Sequence, residues 1–294
     1  MTMPAAEHPL RLAARVERDG LMQRHPEVFH PSPGRRIRTG LIIALLAGLF
    51  AYGLVVLDFD PARLLSGIGK LGQFMWFMLP PSTGTWAKFW IYLHALAETV
   101  AIAFLGTFTA ALLALPVGFL AAKNVVPNVV VHFLSRRIVD TIRGVDELIW
   151  ALIWVSVVGL GPFAGVLALL CANFGLFSKL FSEAIEAADR KASEGIASAG
   201  GSKLHDLRFG ILPQVLPIFG SQVLYFFESN TRSATIIGIV GAGGIGMYLT
   251  EAIRTLEWQQ VSLLVLMILV AVAAIDQISS RIRFAVIGER RIET

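Results

Sequence analysis

The sequence predicts an all-α integral membrane protein with about six transmembrane helices. Three observations carry that prediction. Charged residues make up only 16% of the 294 and hydrophobic ones 55%, whereas soluble domains carry about 25% charged residues. The charges are bunched, leaving uncharged runs at 39–57, 99–122, 148–178, 209–227, 233–250 and 258–275; a helix needs about 20 apolar residues to cross the hydrocarbon core. Lys and Arg, finally, concentrate in alternate connecting segments.

Taken in order, the first span is expected at 40–57. The next uncharged piece, 71–87, contains "LPPSTGTWA", whose adjacent prolines and turn formers would break a lipid-facing helix; its Phe74, Trp76 and Phe77 suit an interfacial or re-entrant position. A second span comes next, at 91–121. The 148–178 run is interrupted by "GLGP" at 159–162, a turn signal, and reads as a hairpin of two spans, 147–160 and 163–181. The fifth span is expected at 213–240, across one charged cluster, and the sixth at 258–280.

Six spans put both termini on one side. With the N-terminus cytoplasmic, 20 of the 25 Lys and Arg fall in cytoplasmic segments, against Arg63, Lys70, Lys88 and Arg254 outside and Arg232 within a span. This positive-inside bias explains the isoelectric point near 9.5 without nucleic acid as a partner. Residues 1–38 are polar and basic and no small-residue cleavage site comes after Leu57, so the first span is expected to be an uncleaved anchor. The domain plan is a cytoplasmic segment at 1–38, the first span and an outer interfacial segment at 39–88, a transmembrane core at 89–285 and a tail at 286–294. The single Cys171 cannot form an intrachain disulfide and reads as a small apolar side chain.

Two glycine-rich stretches imitate nucleotide sites. "GAGGIG" (241–246) has G-x-G-x-x-G spacing, but "ATIIGIV" before it continues a span and the candidate acidic residue, Asp276, lies 30 positions on, in another span; the dinucleotide fingerprint requires a strand before, a helix after and an acid about 20 residues on. Gly241, Gly243, Gly244 and Gly246 instead suit a tight bend or moving gate on the outer side, or a plain turn between spans. "GIASAGGSK" (195–203) lacks the Gly-Lys-Ser/Thr order of a P-loop. If ATP drives this protein, another chain hydrolyses it.

The segment 182–212 is the longest cytoplasmic element within the bundle. "SEAIEAADRKASEGIASAGG" reads as a helix with Ser182 as its cap, Glu186 and Arg190 as an i,i+4 pair, and Gly200-Gly201 as its end. Ser202 is expected to cap a second short helix ending at Gly210. Pro213 suits the first turn of the fifth span, and Pro217 is expected to kink that span one turn later.

This arrangement resembles the coupling loop of ABC-importer permeases, patterned E-A-A, three residues, Gly, nine residues, Ile, one residue, Leu-Pro. Glu194, Gly200, Leu212 and Pro213 occupy matching positions; Gly195-Ile196 replaces the two alanines and Gly210 stands where Ile is usual. Together with "ELIWALIWVSVVGLGPFAGVLALL", "KLFSEAIEA", "GILPQVLPIF", "ESNTRSATIIGIVGAGGIG" and "DQISSRIR", it resembles the phosphonate-transporter permease family over about 89–285. The resemblance implies a type I ABC importer permease fold in a homodimer in the bacterial cytoplasmic (inner) membrane. It implies ABC ATPase subunits that bind ATP and Mg²⁺, with no cofactor on this chain, and an extracytoplasmic, or periplasmic, phosphonate-binding protein. The expected solute is a phosphonate or related phosphorus oxyanion.

Glu228, Asn230 and Arg232 stand near the middle of the fifth span. An unpaired charge there costs roughly 2.5–3.5 kcal/mol, and the i,i+4 spacing lets Glu228 and Arg232 pair. The pair either neutralises itself within the bundle or stands beside a translocation path, where a planar guanidinium matches a phosphonate. His94 and Glu98 form another i,i+4 pair without the further ligands a metal needs, so no metal site is expected. Neither H-E-x-x-H nor G-x-S-x-G occurs and Cys171 has no evident His partner, which argues against an intramembrane enzyme. The alternatives are an importer permease for methionine or an osmolyte, and a secondary transporter, which would not require the 182–212 loop.

Overall fold

A computed structural model of the chain describes residues 20, 33–126 and 128–288. Most of the expected 1–38 segment, and 289–294 of the tail, lie outside the described residues. The chain divides into two compact units, Met1–Gly72 and Gln73–Thr294.

In the first unit, α1 (Pro33–Val56) is the first apolar helix, with none of its spanning window buried. The Asp60 carboxylate accepts the Ala62 amide at 2.8 Å and starts α2 (Pro61–Phe77), which has no buried residue. Helix α2 stops just before the paired prolines; at its end, inside the second unit, Phe74 meets Trp258 edge-on at 4.1 Å between ring centroids.

The second unit contains α3 (Trp86–Ala121), α4 (Val129–Arg143), α5 (Glu147–Val158), α6 (Pro162–Glu186), α7 (Arg190–Ser198), α8 (Lys203–His205), α9 (Leu212–Ile239), α10 (Ile245–Arg254) and α11 (Trp258–Gly288). Helices α3 and α6 pack along most of their length. Small residues permit this: a Cβ on Gly106 would lie 2.6 Å from the Leu169 Cβ, and one on Gly118 2.8 Å from that of Phe181. Close backbone approach of this kind drives helix association where lipid is as apolar as the side chains. Around it, Phe177, Phe181, Ile185, Val215 and Phe219 form one buried cluster, and Ile102, Leu169, Ala234 and Ile237 another.

Among the described residues five helices are long and apolar enough to cross a membrane. The expected third span, 147–160, differs. Its helix, α5, has 12 residues, about 18 Å at 1.5 Å per residue, short of the roughly 30 Å hydrocarbon core. Helix α4 precedes it directly. Helix α5 joins α6 through the 159–161 turn, Arg143 at the end of α4 lies against Gly175 near the middle of α6, and Arg136 pairs with Glu186 at its end. Helices α4 and α5 thus run antiparallel to α6 as one broken helix.

The 182–212 loop also departs from expectation. Ser182 does not cap a helix: it is buried inside α6 and donates to the Lys179 carbonyl, because the apolar face continues through Phe181 and Ile185. The cap is Asp189, which accepts the Lys191 amide at 3.0 Å and starts α7. Glu186 pairs with Arg136, not with Arg190, because the chain breaks between α6 and α7. The expected second helix does not end at Gly210; from α8 the chain passes through one wide, π-helical turn at 206–211 directly into α9, the Leu212 amide donating to Leu207 O. Such a turn accommodates the prolines at 213 and 217, which supply no amide to the ordinary ladder.

Candidate functional site

The break between α4 and α5 lines an open-sided cavity of about 390 Å³ beside α6 and α9. Local sequence dictates the break. Gly144 ends α4, its amide returning to Asp140 O, and Asp146 starts α5 by accepting the Leu148 amide at 2.9 Å, a stop signal and then a start signal. Gly175 lets the break lie flush on α6: a Cβ there would stand 2.9 Å from the Arg143 amide nitrogen.

Arg143, Asp146 and Glu147 line the cavity from the break, Asn173 from α6, and Ser229, Asn230 and Ser233 from α9. Asn230 donates to Thr107 at 2.8 Å, and Asn173 returns its amide to Leu169 O at 2.7 Å. Ionisable groups at an interrupted helix inside a membrane bundle mark solute paths. Of the residues singled out in the sequence for a translocation path, Asn230 lines this cavity, beside Arg143, Asp146, Glu147 and Asn173, which the sequence analysis did not single out. The available signal was "RGVDE", a helix stop and start between an amphipathic and an apolar segment.

Glu228 and Arg232 do pair, at 2.9 Å, but neither lines the cavity. The cavity takes residues 226, 229, 230 and 233 of α9, one face at helical spacing, and the pair lies off it. The Glu228 side chain is 12% exposed and that of Arg232 51%. Arg232→Ala should therefore strand the carboxylate at a cost of about 1–3 kcal/mol or more, lowering the yield of monodisperse protein after heating. The double variant Glu228→Gln/Arg232→Gln should recover most of that yield, and equal losses in both would show that the pair does not neutralise itself.

The 241–246 stretch is a tight bend between α9 and α10. Gly241, Gly243 and Gly244 have φ of +94°, +85° and +74°, a region costly to side chains. At Gly246 a Cβ would run into the Thr235 carbonyl and Gly238. The 159–161 turn and α3 hold the bend: Gly161 N–H donates to Gly241 O at 2.9 Å, Gly244 N–H to Glu98 Oε1 at 2.8 Å and Ile245 N–H to Thr99 Oγ1 at 2.8 Å. Glu98 thus accepts an amide at the start of α10.

At the other end, α7 terminates in a Schellman motif, Gly200 N–H donating to Ala197 O and Gly201 N–H to Ile196 O, with Gly200 at φ +78° as that motif demands. Glu194 is exposed, and around Gly200 a Cβ would meet nothing within 4 Å. Leu212 and Pro213 open α9. Gly210 packs toward α7, where a Cβ would come within 3.2 Å of the Ile196 side chain, so the departures at 196 and 210 lie against each other.

Residues 114–289 match the model of the family described as binding-protein-dependent transport system inner membrane component. The phosphite transport system permease protein PtxC of Stutzerimonas stutzeri is 36% identical over 76% of this chain and 80% of its own length. The phosphate-import permease protein PhnE of Mycolicibacterium smegmatis is 36% identical over 88% of this chain, which spans about half of that longer protein (48%). Among solved structures, the inward-facing MetNI methionine ABC transporter matches 69% of this chain and 99% of its own chain, with a TM-score of 0.61 at 19% identity, a likeness of fold.

Proposed function

This chain belongs to the binding-protein-dependent transport system inner membrane component family and is a multi-pass transmembrane subunit of an ABC importer; we propose that its solute is a phosphonate or a related phosphorus oxyanion such as phosphite. The substrate class rests on the relatives named for phosphite and phosphate transport. The observation that carries the transport assignment is physical continuity. Helices α6 and α9 both line the cavity and both end at the loop bearing α7, so a partner moving α7 moves the cavity walls.

In the proposed assembly two copies of this chain form the membrane core, ATPase subunits holding ATP and Mg²⁺ dock on α7 from the cytoplasm, and a binding protein delivers the oxyanion from outside. Both termini face the cytoplasm, and the 241–246 bend stands at the outer mouth as part of the gate. This chain contributes no catalytic residue. One guanidinium and two carboxyls in the cavity give no deep positive well, which suits a path that must release its anion.

The chain copurified with its ATPase and reconstituted in vesicles should hydrolyse ATP faster when phosphite- or methylphosphonate-loaded binding protein is added, and should import that solute. Methionine with the same binding protein should do neither. Import of methionine in place of the oxyanions would overturn the substrate assignment.

A further inference from the structure

Resting on the importer reading, we propose that Gln214 and Arg136 are the positioning residues through which α7 moves the two walls of the cavity. One wall is α9, bearing Ser229, Asn230 and Ser233, and the other is the α4–α5 break, bearing Arg143 and Asp146. By chain connection alone, α7 reaches α9 only through residues 199–211 and reaches α4 only through all of α6. Two polar clasps shorten both routes.

The first joins α7 to α9. The Asp189 amide donates to Gln214 Oε1 at 2.9 Å, and Gln214 Nε2 donates to the carbonyls of Asp189 at 3.2 Å and Gly210 at 2.8 Å. Asp189 is the residue that caps α7, so both functions of one amide, in the first turn of α9, grip the root of α7. The second clasp is centred on Glu186, three residues earlier. Arg136 donates to both Glu186 oxygens at 2.9 and 3.0 Å, and the Lys123 amide donates to Oε1 at 2.9 Å. Beside it, Asn124 Nδ2 donates to Ile185 O at 2.7 Å. Arg136 stands two turns before Arg143 on α4, so the break is bound to the foot of α6.

A partly exposed ion pair contributes little to stability, and the clasps close where α7 leaves the bundle. Their consequence is geometric. With both intact, a displacement of α7 is shared by α9 and, through the foot of α6, by α4; with one open, it reaches one wall and not the other.

The test is the number of ATP molecules hydrolysed per solute imported, measured with radiolabelled phosphite in vesicles containing the full complex. Gln214→Met and Arg136→Met, which keep length and lose the hydrogen bonds, should retain the ATPase at wild-type stoichiometry and raise that ratio several-fold. An unchanged ratio in both variants would overturn the proposal. If wild-type vesicles import no phosphite, the substrate assignment fails first, and the clasps are then judged by amide hydrogen exchange on the purified complexes. The Asp189 amide should exchange several-fold faster in Gln214→Met and the Lys123 amide faster in Arg136→Met; equal protection to wild type would refute the clasps directly.

Discussion

Gly200→Asp abolishes uptake while the protein remains in the membrane at wild-type abundance. The expectation rests on the surroundings of Gly200, both filled and empty. Its backbone lies at φ +78° at the end of α7, where a side chain costs about 1–2 kcal/mol. That cost falls on an exposed terminus and leaves the buried clusters around α3, α6 and α9 untouched. Among the described residues, neighbours in the chain aside, no atom stands within 4 Å of an added Cβ, so an aspartate projects from the surface on which, in the proposed assembly, the ATPase docks. Gly200→Ala should separate the two effects, adding the strain with the smallest possible projection: uptake should fall partway and ATPase copurification persist. With Gly200→Asp both should be lost. Glu194→Lys reverses a charge on the same exposed helix and should behave likewise. Wild-type uptake by Gly200→Asp would remove the docking role of this surface. Loss of the protein from the membrane would make the residue a folding determinant instead.

The parts of this protein that were legible in its sequence are those written by local chemistry. Uncharged runs located α1, α3, α6, α9 and α11, because exclusion of charge from hydrocarbon is read residue by residue. The glycines of 241–246 announced a bend by their number alone, and Gly200-Gly201 announced the end of α7. Features set by partners distant in sequence escaped. Glu186 takes its counter-ion from 50 residues away, although Arg190 stands at ideal helical spacing; that spacing counts only if the helix continues, and α6 ends at Glu186 itself. Glu98 and Thr99 find their role against amides 146 positions later. The broken helix was hidden for a different reason. Helix α4 is amphipathic and basic and gives no sign of its packing along α6, while the apolar run beginning at 148 conceals that α5 is too short to cross unaided. The resemblance of Glu194, Gly200 and Leu212-Pro213 to a known loop compensated for some of this, since it depends on order and spacing more than on tertiary contacts.

Ser229→Trp blocks uptake and leaves the ATPase responsive to loaded binding protein. Ser229 is half-buried and lines the cavity from α9, on the same face as Asn230 and Ser233. Its side chain makes no hydrogen bond that holds the helices together, unlike Asn230, which is tied to Thr107. An indole at this position therefore occupies the space between α9 and the Arg143–Glu147 break while leaving intact both the α3–α6 packing and the α7 clasps. If the solute crosses here, binding protein and ATPase still communicate through the remaining contacts, and only passage stops. Hydrolysis without import is the signature expected, and it differs from the Gly200→Asp outcome, in which hydrolysis is lost with the ATPase itself. Ser229→Ala should transport at the wild-type rate, since the hydroxyl offers an anion one weak donor among several. Should Ser229→Trp import phosphite normally, the path lies elsewhere. The Glu228–Arg232 pair, on another face of α9, would then be the next place to obstruct, because it is the remaining group of charges in the interior of that helix.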